Sequence, residues 1–185
     1  MVKIVLKRAK KKNMKQPNKV GGGAKTTVNG LYFEQTTELS SLFERLPSFS
    51  VHGDDVFKDG EKVGVLCGKN KLYKKILEPR GVDARTIISK KLLPDDAILV
   101  KDTVYIIEKK FQSGAGSVDE KLQTCHFKKM IYTKLLSAAN LNVEYIYVFN
   151  NWFDQPSYKD VHTYIKDVGC HYYFYEIPLE AIGLA

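Results

Sequence analysis

The sequence predicts an α/β domain with elements in the order helix, several antiparallel strands, helix, strand, helix, strand. Three observations lead there. Leu39, Leu42, Phe43 and Leu46 repeat at helical spacing. Short β-prone runs between residues 49 and 112 are separated by turn signals, of which Asp59-Gly60 in "KDGEK" is the strongest. Beyond residue 117, two helical patterns alternate with two strand patterns rich in aromatic and β-branched residues.

Residues 1–25 carry many lysines and no acid, and end in Gly21-Gly22-Gly23, so a flexible basic arm is expected there, ahead of a single domain over 26–185. Such an arm is either solvated or follows a phosphate backbone. "GGGAKTT" is not a phosphate loop, because Ala24 stands where the pattern requires glycine before the lysine. A helix is expected from about 31 to 46, stopped by Pro47. Glu34 and Glu38 lie one turn apart on a face beside its apolar one. Strands are expected at about 49–57, 62–67 and 72–77, and "KKLLPDDAILV" and "TVYIIEKKFQ" form a further hairpin around Lys101-Asp102. Ser117 and Glu120 have capping-box spacing and open a helix from Val118 to about Ala139. "VEYIYVFNNWF" reads as a buried strand, "PSYKDVHTYIKDVG" as a short helix closed by Gly169, and "HYYFYEI" as the last strand.

The totals set limits on function. A chain of 185 residues, 44% of them apolar, can bury a real core. A net charge of +8 favours a polyanionic partner. Nucleic acid fits better than membrane, since no stretch approaches the length of a spanning helix. The basic start lacks a secretory pattern, and Cys67, Cys125 and Cys170 read as reduced thiols, so an intracellular, cytoplasmic protein is expected.

Chemistry concentrates in the Lys101-Asp102 hairpin. With a two-residue loop, Val100 pairs with Thr103, Ile98 with Tyr105, Asp96 with Ile107, and Asp95 with Glu108. Cross-strand partners share a face, and side chains on one strand repeat on that face every about 6.6 Å. Asp95, Glu108, Lys110 and Gln112 therefore converge at one sheet end. A loop one residue longer would put Asp96 there instead. Two carboxylates can hold Mg²⁺, which prefers hard oxygen ligands, and the lysine can orient a water or stabilise developing negative charge. The alternative is a surface hairpin whose charges are ordinary edge decoration. That accounts for Lys109 and Asp102, but poorly for Glu108, which follows the buried-looking "VYII".

Pro94-Asp95, a gap of twelve residues, then Glu108-Lys109-Lys110 resembles the PD-(D/E)XK nuclease motif, and the surroundings resemble small type II restriction endonucleases of that superfamily. Asn29-Gly30 and Phe33-Glu34 look like the first-helix signature of such enzymes, Gln112 follows as in E-x-K-x-Q variants, and "SGAGSVDEKL" resembles the loop and helix start after the catalytic strand. The resemblance runs from about residue 20 onward. It implies a restriction-endonuclease-like core, a central mixed β-sheet flanked by helices in αβββαβ order with an extra C-terminal helix and strand. It implies Asp95 and Glu108 as metal ligands for Mg²⁺, Lys110 as the catalytic lysine, Gln112 beside it, and Glu34 as a supporting acid. The Asp95-Asp96 doublet leaves either residue as the first ligand. The implied activity is Mg²⁺-dependent hydrolysis of double-stranded DNA at a short specific sequence, by a homodimer. Two alternatives stand beside it: a repair, junction-resolving or homing nuclease of the same fold, and a non-catalytic nucleic-acid-binding domain.

Other candidates are weaker. Glu120 reads as a cap, and Lys121 as a solvated or phosphate-contacting lysine. Cys125-His126 and Cys170-His171 lack zinc-ligand spacing. Asn150, Asn151 and Trp152, and the lysines at 69–75, 90–91 and 128–129, are candidate DNA contacts.

Overall fold

Seven strands build one mixed sheet in the order β2-β3-β4-β5-β6-β7-β8 in a computed structural model that describes residues 3–5, 38–113 and 118–184. The strands are β2 (Phe49–His52), β3 (Asp55–Lys58), β4 (Glu61–Leu66), β5 (Asp96–Val100), β6 (Thr103–Lys110), β7 (Asn142–Phe149) and β8 (His171–Phe174). β2 to β6 run antiparallel, whereas β6-β7 and β7-β8 are parallel. A parallel neighbour requires a crossover, and helices supply both. Between β6 and β7 come α2 (Val118–Leu122) and α3 (Cys125–Ser137); between β7 and β8 comes α4 (Lys159–Asp167). Ahead of the sheet lies α1 (Leu39–Phe43). A separate two-stranded ribbon pairs β1 (Lys3–Val5) with β9 (Glu176–Pro178).

Both faces of the sheet are covered, and the alternation of strand residues divides the core in two. On one face Ala97, Leu99, Val104, Ile106, Tyr145 and Tyr147 pack with Leu122, Tyr132, Leu135 and Ile165 from the crossover helices. On the other, Ile98, Val100, Ile107, Ile146 and Val148 pack with Leu39, Leu42 and Phe43 of α1 and with Ile4 and Ile177 of the ribbon. Burial on both sides is why β7 reads as an almost continuous apolar run.

Several elements depart from the expected pattern, each for a local reason. The expected strand at 49–57 is a hairpin, because Gly53 takes a left-handed φ of 66° and turns the chain between β2 and β3. Asp59 and Gly60, both at positive φ, make the β3-β4 turn as expected. The expected strand at 72–77 is a π-helical turn, Leu72–Leu77, that buries Leu72, Tyr73, Ile76 and Leu77. Those positions recur in pairs four apart, which is a helical stripe rather than a strand's alternation. The Tyr73 hydroxyl fixes this turn by donating to the Leu92 carbonyl at 2.7 Å and accepting from the Leu92 N–H at 3.1 Å. The helix expected over 118–139 breaks into α2 and α3, and the last strand breaks at Tyr175, which adopts φ 56°. The helix expected from 31 is described only from Leu39, and ends at Phe43. Of the expected basic arm, Lys3–Val5 are not loose chain: Ile4 is buried and Lys3 pairs with Glu176 at 2.6 Å. The remainder of the arm, Glu34 and Ser117 lie outside the described residues. No helix among the described residues is long and apolar enough to cross a membrane.

Candidate functional site

The β5-β6 hairpin sets the site. Its pairing is Val100 with Thr103, Ile98 with Tyr105 and Asp96 with Ile107, as the two-residue loop predicts. Lys101 takes a left-handed φ of 54° to close that loop. Asn142 at the start of β7 ties it down, donating from its backbone N–H and its side-chain amide to Asp102, at 2.8 and 3.1 Å. One residue beyond the ladder, the Asp95 carboxylate accepts the Lys109 N–H at 2.8 Å, which holds Asp95 against the end of β6.

On the α3 face, Asp95, Glu108 and Lys110 come together. The Lys110 ammonium lies 3.0 Å from Glu108 Oε2, 3.2 Å from the Lys109 carbonyl and 3.7 Å from Asp95 Oδ2. One cation thus sits among three oxygens from the two arms of the hairpin. Glu108 is only 3% exposed, so its charge is not surface decoration. A second ammonium, that of Lys128 on α3, reaches the same Glu108 oxygen at 2.9 Å. A buried carboxylate requires such compensation. Lys110 also lies 5.9 Å from the centre of the Tyr147 ring, within cation–π range.

Gln112 follows on the same face and is 3% exposed. Its backbone and that of the strand end are held by Asn150, which accepts the Gln112 N–H at 3.1 Å and donates to the Gln112 carbonyl at 2.8 Å. The Gln112 side-chain oxygen is buried and accepts no hydrogen bond from a described residue. Asn150, considered above as a DNA contact, is therefore a buried clasp between the ends of β6 and β7. Trp152 gives its indole N–H to the Tyr158 hydroxyl at 2.9 Å.

The opposite face carries a second ion pair. Asp96 and Lys109 alternate with Asp95 and Glu108, so they point toward α1. Lys109 Nζ lies 2.5 Å from Asp96 Oδ2, and the Leu39 N–H approaches the same oxygen at 3.4 Å. Burial pushes the Asp96 carboxyl above its ordinary range, against the pull of the Lys109 ammonium. The edge-charge account of Lys109 is thus overturned: the residue is 5% exposed and neutralises a buried acid. Periodicity gives its direction, but its depth depends on α1 packing over the strand end.

The two faces adjoin a cleft of about 450 Å³ lined by Glu38, Asp54, Gly68, Lys69, Asn70, Lys71, Asp95, Asp96 and Lys109, among others. Asp54 is held by Lys71 and Lys75; burial raises its carboxyl, but the two ammoniums outweigh it and keep it below the ordinary range. Gly68 lets the chain just beyond β4 pass close to the carboxylates. A Cβ there would lie 3.0 Å from Asp96 Cα and 3.3 Å from the Asp95 carbonyl, both rigid backbone. Gly68→Ala is expected to lower stability by about 1–3 kcal/mol through overpacking. It should also speed exchange of the Lys109 amide proton as Asp95 is pushed away. Urea unfolding and hydrogen exchange check this, and unchanged values would mean that the backbone there can yield.

The remaining candidates separate. Lys129 contacts Glu144 at 3.2 Å and the Gly169 carbonyl at 2.6 Å. Lys91 contacts Asn70 at 2.9 Å. Glu120 and Lys121 are exposed. Lys128 was legible only as one of many candidate phosphate contacts. What marks it as part of the site is the crossover that folds α3 over β6, bringing together residues 20 apart in sequence.

The donor set suits a hard divalent cation. Asp95, Glu108 and the Lys109 carbonyl are all oxygen donors, and a positively charged group, the Lys110 ammonium, already lies among them. Among the described residues no group of three or more acidic, histidine or cysteine side chains gathers at one point. The site is thus a carboxylate pair with two lysines, able to hold a cation and to stabilise negative charge developing on a bound oxyanion. No family model matches the sequence, no curated protein matches it, and no solved structure matches the fold.

Proposed function

We propose that the protein is a Mg²⁺-dependent endonuclease of the PD-(D/E)XK type, cutting double-stranded DNA at a short specific sequence and working as a homodimer. One observation carries the reading: Asp95 and Glu108 meet across the hairpin with the Lys110 ammonium between them. The succession of α1, an antiparallel run of strands, crossover helices and a parallel β7 supports a restriction-endonuclease-like core. The net charge of +8 suits a polyanionic substrate.

In this reading Asp95 and Glu108 would hold Mg²⁺, with the Lys109 carbonyl as a further oxygen donor beside them. The bound cation would polarise the scissile phosphate and lower the pKa of a water. Lys110 orients the attacking water and stabilises the charge that builds on the phosphate oxygens. Gln112, next on that face, supplies an amide oxygen with no other described hydrogen-bond donor. Glu34 is the proposed supporting acid from the segment before α1. A two-fold dimer would place one such site on each strand of a palindromic target.

The test is digestion of a plasmid with Mg²⁺ and sequencing of the product ends. Discrete ends at one sequence are expected. Asp95→Ala and Glu108→Ala should each abolish cutting with the fold retained by circular dichroism, and at least one should still bind DNA in Ca²⁺. A wild-type protein that leaves DNA intact, or two fully active mutants, would end the nuclease reading. Genomic neighbourhood separates restriction from repair, since an adjacent DNA methyltransferase gene favours restriction.

A further inference from the structure

Lys128 lies outside the motif residues, yet it reaches the most deeply buried carboxylate of the site. Its ammonium is 2.9 Å from Glu108 Oε2, the same oxygen that Lys110 approaches at 3.0 Å. Two ammoniums on one oxygen lie no more than about 6 Å apart, so each weakens the other's hold. Their surroundings differ. Lys110 is enclosed by Asp95, Glu108 and the Lys109 carbonyl. The Lys128 ammonium makes one hydrogen bond among the described residues, and its side chain keeps 27% of its exposure. An ammonium has three donors, so two of those on Lys128 have no partner among the described residues.

Charge fixes what those donors suit. Asp95, Glu108, Lys110 and Lys128 sum to zero. A divalent cation makes the site doubly positive, and the transition state of phosphodiester hydrolysis carries two negative charges. A lysine that only neutralised Glu108 would become superfluous once a cation shared that carboxylate. One that also faces the substrate would not.

We propose, on the nuclease reading given above, that Lys128 is a second catalytic cation: it loosens from Glu108 as metal binds and donates to a non-bridging oxygen of the scissile phosphate. Lys128 and the metal then compete for Glu108 before substrate arrives and act together on the phosphate afterwards. Helix α3 thereby delivers a catalytic group from outside the hairpin.

The experiment compares wild type with Lys128→Met and Lys128→Arg, in the full chain, by two readouts. The first is Mn²⁺ binding to the protein without DNA, followed by electron paramagnetic resonance. Lys128→Met should bind Mn²⁺ about tenfold more tightly, since a competing positive charge leaves Glu108. The second is single-turnover cleavage at saturating Mg²⁺ and DNA, where Lys128→Met should be about 10²-fold slower and Lys128→Arg should recover part of the loss. A lysine needed only for structure would give weaker metal binding and slower cleavage together, which overturns the proposal. Tighter Mn²⁺ binding with unchanged cleavage also overturns it, because Lys128 would then be a counter-ion alone. If wild type binds Mn²⁺ but cleaves no DNA, the nuclease reading falls and the phosphate role falls with it. Wild-type cleavage with Mn²⁺ affinity unmoved by Lys128→Met removes Lys128 while leaving the nuclease reading intact.

Discussion

Lys110→Ala is expected to leave the protein folded and to slow single-turnover cleavage by about 10²–10³-fold, the usual cost of losing one group that stabilises developing negative charge. Folding survives because neither carboxylate is stranded. Glu108 keeps the Lys128 ammonium at 2.9 Å, and Asp95 keeps the Lys109 N–H at 2.8 Å. Cation binding should hold or tighten, since the competing ammonium among the three oxygens is gone. Lys110→Arg should not restore the rate: a planar guanidinium is too broad for the space between Asp95 and Glu108. Rates for both variants on one cleavable DNA decide the matter, and an unimpaired Lys110→Ala would remove this residue from the chemistry.

Lys109→Ala should fail in a different way. Lys109 neutralises Asp96 beneath α1, where both side chains are largely buried. Removing one partner of a buried pair leaves an uncompensated charge and costs about 3–5 kcal/mol. Urea unfolding should show this loss, and Lys109→Met combined with Asp96→Leu should recover much of it. The deficit should depend on pH. Burial raises the Asp96 carboxyl above its unfolded value and the Lys109 ammonium opposes that rise, so deleting the lysine raises it further. The folded mutant then holds a proton that the unfolded chain has released. Stability from this group is present below the unfolded pKa and is lost as pH rises through the folded one, so the mutant is least impaired in acid. A mutant as stable as wild type at neutral pH would show that the pair contributes little. The neighbours Lys109 and Lys110 thus separate a loss of stability from a loss of turnover.

The hairpin was legible because a strand's two-residue period and a two-residue turn fix which residues face each other. Asp95 opposite Glu108 follows from "VKDTV" once the loop length is chosen. The antiparallel-then-alternating order was legible for a similar reason, since the turn signals and helical stripes are local. What the sequence withheld depends on packing between distant segments. The burial of Lys109 needs α1 above it, and the meeting of Lys128 with Glu108 needs the crossover. The π-helical turn at Leu72–Leu77 is hard to tell from a strand by sequence, because six residues with apolar pairs four apart are too few to establish a helical period. The split at Gly53 leaves no clear mark in the sequence, because "SVHGDDVF" lacks the usual turn pair.

The ribbon of β1 and β9 has a consequence for how the molecule comes apart. It joins Lys3 to Glu176 across 173 positions, while its ladder is three residues on each side. Closing so long a loop costs little more than closing a moderate one, about 0.6 kcal/mol per doubling of length. Ile4 in the α1-side core and one ion pair are therefore a proportionate fastening. Such a short seam is also the easiest to open, and opening it would leave the backbone edge of Glu176–Pro178 without its partner while the seven-stranded sheet stayed intact. Lys3–Val5 thus act as a hem on the fold, closing an edge that would otherwise be open to a neighbouring chain.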